Sequence, residues 1–226
     1  MLLPCYSFDL SSIRFTYSEK YDDWYIDDFW FFKFFGIGDE NLVVYHDSVT
    51  KNVVIRARFD ITGNGADIIV PGEVRKTYTE AFLLGIENNW SGCKENDNGK
   101  GYNIAVRVRN QVGGIKVNII NGDGQSTGGP WGLPWDTMAF WSPTNLGSIT
   151  MYTARKGYAN SDWDSFGIRA SHEFGHILGL KNYYENRSTI MSAYHLESKV
   201  TVWDINAVLK AWYTKKSQRP PIHTFY

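Results

Sequence analysis

The chain has 226 residues, of which 43% are hydrophobic and 16% aromatic, so it can bury a substantial core within one compact unit. Its formal net charge of −1 provides no basic footprint for nucleic acid or for an anionic membrane surface. No apolar run approaches the roughly 20 residues that cross a bilayer, and the opening MLLPCYSF lacks the basic and apolar regions of a secretory signal. We therefore expect a soluble protein with no nucleic-acid partner, no membrane span and no ordinary export signal.

Residues 1–40 mix charges with many aromatic side chains, as in YDDWYIDDFWFFKFFGIGDE, and follow neither helical nor strand periodicity. We predict an irregular segment here, ahead of one domain over residues 41–226. The segment's role stays open between structural filler, a partner surface and a substrate-shaping addition. The chain's two cysteines are Cys5 and Cys93. Because a chain of this length needs no disulfide to fold, we expect free thiols.

Strand patterns dominate the first half of the domain. NLVVYH at 41–46 and NVVIRARF at 52–59 are rich in β-branched residues. The pattern of TEAFLLGIENNW predicts a helix over about 77–90 that packs on the sheet. YNIAVRVR at 102–109 and GIKVNII at 114–120 are separated by a short link, which indicates a hairpin.

The link to the second half of the domain is rich in glycine and proline. NGDGQSTGGPWGLPW at 121–135 predicts a long exposed loop, and long loops inside compact domains are often functional. SITMYT at 148–153 is a further strand, just before the helix that holds the chain's most informative motif.

That motif is HEFGHILGLKN at 172–182. A helix from about Asp164 to Leu178, with Ser161 and Asp164 as a capping box, buries Phe166, Ala170, Phe174 and Ile177 on one face. His172 and His176 lie about 40° apart on the other face, at the separation that one Zn²⁺ needs to accept both nitrogens. Glu173 lies about 100° round the helix, where it can face a water molecule as a general base.

Gly179 follows the second histidine by three residues, where a left-handed residue turns the chain sharply back toward the metal. The series His172, Glu173, His176, Gly179 and position 182 resembles the metzincin clan of zinc endopeptidases, whose motif continues with His or Asp and then a methionine turn. STIMSAYH at 188–195, around Met191, is similar to that turn, and TVWDINAVLKAWY at 201–213 to the helix after it. A cap formed by Thr201 and Asp204 supports the helix independently.

The resemblance implies an α+β, zincin-like fold: a twisted, mainly mixed β-sheet with a backing helix, an active-site helix and a C-terminal helix. It implies Zn²⁺ as cofactor, an apolar floor from Met191 and hydrolysis of a protein or peptide substrate. The substrate would lie extended along an edge strand, which by chain order would be residues 148–153. The chain also resembles the short zincin domains that bacteria use as secreted effectors or toxins. Such domains often have an inhibitor or immunity protein as a partner. That likeness implies export by a specialised route, with a cytoplasmic location otherwise.

Asn182 departs from the motif because it stands where the clan has His or Asp. A carboxamide oxygen is a neutral and weaker ligand. Three interpretations stay open: Asn182 binds zinc through its oxygen, His195 (or, less well, Glu185) supplies the third ligand, or the site is impaired. An impaired site would make the chain a catalytically silent zincin-like domain that binds peptides or proteins without turnover.

Overall fold

The computed structural model describes residues 41–47, 50–96, 99–124, 126–129, 147–155, 159–180, 182, 188–192 and 199–214. The predicted N-terminal segment 1–40 lies outside these ranges. In chain order the described elements are β1 (Leu42–Asp47), β2 (Asn52–Thr62), α1 (Tyr78–Trp90), β3 (Gly92–Glu95), β4 (Gly101–Asn110), β5 (Ile115–Gly124), β6 (Thr127–Gly129), β7 (Ser148–Arg155), α2 (Trp163–Ile177) and α3 (Val202–Thr214). The chain is therefore an α+β protein, as its pattern predicts.

The strands form one mixed sheet in the order β3-β4-β2-β5-β7-β6. Strands β2, β4, β5 and β7 run parallel, whereas β3 and β6 are antiparallel to their neighbours. Strand β1 pairs antiparallel with the first half of β2, on the edge that β5 occupies further along. Sequence alternation in β2 agrees with this position, because its inward residues are buried and its outward residues are half-buried.

Helices α1 and α2 pack against one face of the sheet. Phe59 of β2 makes edge-to-face ring contacts with Phe82 of α1 and Phe174 of α2. The two helices meet where Gly85 faces Gly167, since a Cβ at Gly85 would lie 2.3 Å from the Gly167 Cα. The helix bearing the motif is thus held close against α1 and the sheet. Among the described residues, no helix is long and apolar enough to cross a membrane.

The predicted hairpin of residues 102–120 is wrong. Strands β4 and β5 both run parallel to β2, on opposite edges, and meet it at the same residue, Phe59. The link crosses β2, where the Gln111 N–H donates to the Phe59 carbonyl at 2.6 Å. A Cβ at Gly114 would lie 2.6 Å from the Arg58 carbonyl oxygen, so glycine makes the crossing possible.

Three further expectations need correction. The stretch 121–135 is not wholly a loop, because it contains the end of β5 and strand β6. Strand β7 is not an edge strand over its whole length, because β6 pairs with its residues 148–150. Cys93 is not a free thiol, because it is disulfide-bonded; Cys5 lies outside the described residues. The sequence missed β3 and β6 because each is short and rich in glycine or polar residues.

Candidate metal centre

Helix α2 begins one residue earlier than the sequence predicts. Its N-cap is Asp162, whose side chain accepts the Ser165 N–H at 2.8 Å, and not the Ser161–Asp164 capping box. The predicted apolar face is confirmed: Phe166, Ala170, Phe174 and Ile177 are fully buried. The opposite side is also largely enclosed, since Glu173 is 6% and His176 is 4% exposed.

The helix ends in the sharp turn that Gly179 predicts. Gly179 has a φ of 90°, its N–H donates to the His176 carbonyl, and the Leu180 N–H donates to the Gly175 carbonyl. These two bonds form a Schellman motif, which reverses the chain at a left-handed residue. Consequently the Leu180 carbonyl oxygen returns to within 2.8 Å of His176 Nδ1.

Both imidazoles are oriented in the same way. His172 Nδ1 lies 2.8 Å from the Ile190 carbonyl oxygen, just as His176 Nδ1 lies 2.8 Å from that of Leu180. A carbonyl can only accept, so each Nδ1 holds the proton and each neutral ring has its lone pair on Nε2. The rings are close neighbours, with centroids 4.9 Å apart. This arrangement is the one that metal-binding histidines typically adopt.

Burial keeps both rings neutral. It lowers the pKa of His172, and burial together with the neighbouring His172 lowers the pKa of His176 to about 3. The bonds to the Ile190 and Leu180 carbonyls oppose these shifts, as does the Asn182 side chain beside each ring. Neutral imidazole is the form that binds a metal ion.

Asn182, the predicted third ligand, therefore lies next to both histidines. Its Oδ1 is buried and accepts no hydrogen bond of normal geometry from the part of the chain that the structure describes. Neither ring can provide that bond while its proton is on Nδ1. Two imidazole nitrogens and a carboxamide oxygen thus share one small region without a hydrogen between them. These are three atoms that could together hold a cation.

The predicted methionine turn, around Met191, packs against α2 between the two histidines. Met191 is fully buried, and a Cβ built at Gly175 would lie 2.2 Å from its sulfur. The turn is tight, because the Ser192 N–H donates to the Thr189 carbonyl at 3.0 Å. The same turn supplies the Ile190 carbonyl that orients His172. Met191 thus underlies the helical segment between the two histidines.

Glu173 lies in the same enclosed region. Burial raises the pKa of its carboxyl to about 8, an effect that the positive charge of Arg169 opposes. No hydrogen bond or ion pair joins this carboxyl to another described residue. Arg169, one turn earlier on α2, donates to the Tyr152 carbonyl at 2.9 Å and to Ser161 Oγ at 2.8 Å. Arg169 was not predicted from the sequence, although its i, i+4 spacing from Glu173 could have indicated it.

Two candidate residues, the alternative third ligands His195 and Glu185, lie outside the described ranges. Among the described residues, no group of three or more His, Cys, Asp and Glu side chains is arranged to hold a metal ion. The third side chain beside the two imidazoles is a carboxamide, which stands outside that group of residue types.

No protein-family model matches the chain, and no curated protein matches it at a significant level. The geometry of the site therefore provides the functional argument.

Proposed function

We propose that the protein is a zinc-dependent endopeptidase of the metzincin type, with His172, His176 and Asn182 as the zinc ligands and Glu173 as the general base. The observation that supports this most strongly is the buried, unpartnered Oδ1 of Asn182 beside two imidazoles whose Nδ1 protons are already donated to carbonyls. These three groups fit a divalent cation with tetrahedral preference and one open position. The mixed sheet and two packed helices are compatible with that fold.

Zinc bound there would supply Lewis acidity, polarising a peptide carbonyl and acidifying a water molecule. Glu173 accepts the proton of the attacking water and later donates it to the leaving amine. Its enclosed position suits this role, because a carboxyl with a raised pKa holds a proton readily between the two steps. The positive charge of Arg169 limits that rise and favours the carboxylate form, in which Glu173 can accept a proton.

A peptide substrate would add along the sheet edge near α2. The outermost described strand there is β6, which follows β7 in the sheet order and pairs with residues 148–150 of the strand predicted for this role. Backbone pairing at an edge supplies affinity, and side-chain pockets supply selectivity. Because disulfides persist in oxidising compartments, the disulfide of Cys93 supports the export implied by the effector likeness, along with a protein inhibitor as partner.

The second candidate is a catalytically silent zincin-like domain that binds peptides without turnover. The neutral side chain at Asn182 favours it, because a carboxamide is a weaker zinc ligand than a carboxylate or imidazole. Both candidates use the same groove, and they differ in zinc occupancy and in turnover.

The test measures zinc content and hydrolysis of an unstructured protein substrate. We expect about one zinc per chain, lost in His172→Ala, and hydrolysis abolished in Glu173→Gln while zinc is retained. His46→Gln and Glu73→Gln, in β1 and in the loop before α1, are the matched controls and should change neither. Zinc bound without any hydrolysis would favour the silent domain. Protein that stays free of metal in excess zinc would overturn the proposal.

A further inference from the structure

A half-buried guanidinium group, that of Arg169, joins the start of α2 to the last strands of the sheet. Its Nη2 donates to the Tyr152 carbonyl of β7 at 2.9 Å and to Ser161 Oγ at 2.8 Å. Its Nη1 donates to Ser126 Oγ at 3.4 Å, and Ser126 directly precedes strand β6. The guanidinium carbon also lies 5.2 Å from the centre of the Phe166 ring. These contacts fix the position of the guanidinium group.

None of these contacts balances the positive charge of Arg169. All three acceptors are neutral oxygens, and no carboxylate of the described residues lies within ion-pair distance of the guanidinium. Burial lowers the pKa of Arg169; the charge of Glu173 opposes this shift through space, and the positive charge of Arg155 adds to it. A cation that is largely removed from water is costly unless an anion pairs with it. A bound anion would therefore be stabilised here.

The polar groups around this guanidinium are mainly donors. Arginine has five N–H donors and no acceptor, and the buried Nε of Arg169 has no hydrogen-bond partner among the described residues. Ser126 and Ser161 each accept a bond from Arg169, and neither hydroxyl donates its own hydrogen to a described residue. We call these three side chains the Arg169 subsite. A carboxylate complements such a set, because it has only acceptors and carries a negative charge.

The Arg169 subsite adjoins both parts of the proposed peptide site. Arg169 lies one turn before Glu173 on α2, and residues four apart share a face of a helix. Ser126 precedes Thr127, the first residue of the strand along which a peptide would add. Arg169, Ser126 and Ser161 are each half-buried, so the subsite is open to solvent. It therefore borders the strand that would hold the substrate.

We propose that the Arg169 subsite determines specificity by binding the carboxylate of an aspartate or glutamate side chain in the peptide substrate. The carboxylate accepts hydrogen bonds from the guanidinium and from the hydroxyls of Ser126 and Ser161. An asparagine or glutamine side chain has a similar shape but lacks the charge, so it binds more weakly. The inference rests on the peptide groove of the proposed function, and it applies whether the peptide is cleaved or only bound.

The test measures peptide binding by the full-length protein with metal chelated, so that no turnover occurs. The probes are short synthetic peptides that cover the sequence of β-casein. Each peptide has one copy with asparagine and glutamine in place of the acidic residues, and one with lysine. We expect the acidic peptides that bind to do so about tenfold more tightly than their amide copies. Arg169→Gln should remove this preference, and Arg169→Glu should transfer it to the lysine copies.

Matched variants separate recognition from structural support. Arg109→Gln removes a positive charge at an exposed position of β4 and should keep the preference. Because Arg169 also joins α2 to the sheet, Ser126→Ala/Ser161→Ala provides a smaller change that keeps the guanidinium. It should lower the preference about threefold, whereas Ser165→Ala, half-buried on α2, should not. Far-UV circular dichroism checks that each variant is folded.

Equal binding of acidic and amide peptides by the unaltered protein, including no binding of either, would overturn the proposal. So would an equal loss for both kinds of peptide in Arg169→Gln, because a residue that only supports the fold behaves in that way. If Arg169→Gln fails to fold, an unchanged preference in Ser126→Ala/Ser161→Ala overturns it. Zinc content and hydrolysis are not read here, so a failure of this proposal is distinct from a failure of the proposed function.

Discussion

The sulfur of Met191 lies against the backbone of Gly175, in the helical segment between His172 and His176. A Cβ at Gly175 would meet that sulfur at 2.2 Å and a ring carbon of Trp90 at 3.4 Å. Real Cβ atoms do not approach another atom as closely as 2.2 Å, so a side chain here must displace the Met191 side chain. Glycine at this position has a packing reason that outweighs its lower helix propensity.

Gly175→Ala should therefore destabilise the protein. Helix propensity favours alanine by about 1 kcal/mol, whereas overpacking a filled core costs about 1–3 kcal/mol. We expect a net loss in the free energy of unfolding measured with urea. In a Met191→Ala background the displaced sulfur is gone, so the same substitution should cost less or stabilise the protein. Equal costs in the two backgrounds would contradict the contact.

Replacing Asn182 should stabilise the metal-free protein and destabilise the zinc-bound protein, because the buried Oδ1 of Asn182 has no hydrogen-bond donor among the described residues. In metal-free protein, Asn182→Leu removes a buried acceptor that lacks a partner, an arrangement that typically costs about 1–3 kcal/mol. We expect this variant to unfold at a higher urea concentration than the unaltered protein when metal is chelated. With zinc in excess the order should reverse, because the unaltered protein alone has the third ligand.

Charge at the same position should tune zinc affinity. Asn182→Asp replaces a neutral oxygen ligand with a carboxylate, so the zinc dissociation constant should fall at least about tenfold. Asn182→Ala should raise it, and competition with a chromophoric chelator measures both. His195→Ala distinguishes the alternative third ligand. If it abolishes zinc binding while Asn182→Ala leaves the dissociation constant unchanged, Asn182 is not the ligand.

The role of the Gly179 turn in zinc binding can be distinguished from the conformational cost of placing a side chain there. Gly179→Ala places a Cβ on a residue with a φ of 90°, which costs about 1 kcal/mol or more. It should also raise the zinc dissociation constant, because the turn positions both the Leu180 carbonyl and Asn182. Gly72→Ala is the matched control, with a φ of 82° and no atom within 4 Å of the added Cβ. It should lose stability without losing zinc affinity.

Asp204 makes stability depend on pH. Burial raises the pKa of this carboxyl from 3.8 to about 6, although hydrogen bonds from Thr201 and Thr189 oppose the shift. Between these values the folded state binds more protons than the unfolded chain, so this group's stabilising contribution is largest below about pH 4. The contribution is lost as the pH rises through about 6.

Asp204→Asn keeps the helix cap and removes the titration. The unfolding free energy of the unaltered protein minus that of Asp204→Asn should therefore be greater at pH 4.5 than at pH 7.5, by about 1–3 kcal/mol. Urea titrations at the two pH values measure this difference. A larger difference at pH 7.5 would show that the surrounding residues stabilise the ionised carboxylate, and would contradict the raised pKa of Asp204.

Local signals made much of the fold predictable. The predicted cap of α3 is confirmed, since the Thr201 N–H donates to Asp204 Oδ2 at 2.7 Å. The left-handed conformation of Gly179 is also confirmed. Both features could be predicted because a cap or a turn depends on a few adjacent residues. The strands β1, β2, β4, β5 and β7 also follow their periodicity, within a few residues at each end.

Features that depend on distant residues were not predictable. The crossing of β2 by residues 111–114 requires close contact between Gly114 and Arg58, which neither local pattern reveals. The disulfide of Cys93 and the short strand β6 likewise depend on partners far along the chain. At the site, spacing placed the two histidines, whereas the orphaned state of Asn182 Oδ1 emerges only from the folded geometry.

The proposed function requires a zinc ion bound by two imidazoles and a carboxamide. The most direct measurement is a crystal structure of the zinc-loaded protein with anomalous data at the zinc edge. We expect one anomalous peak, within about 2.0–2.2 Å of His172 Nε2, His176 Nε2 and Asn182 Oδ1. No peak at this position in the presence of excess zinc, or a peak with Asn182 turned away from it, would contradict the account.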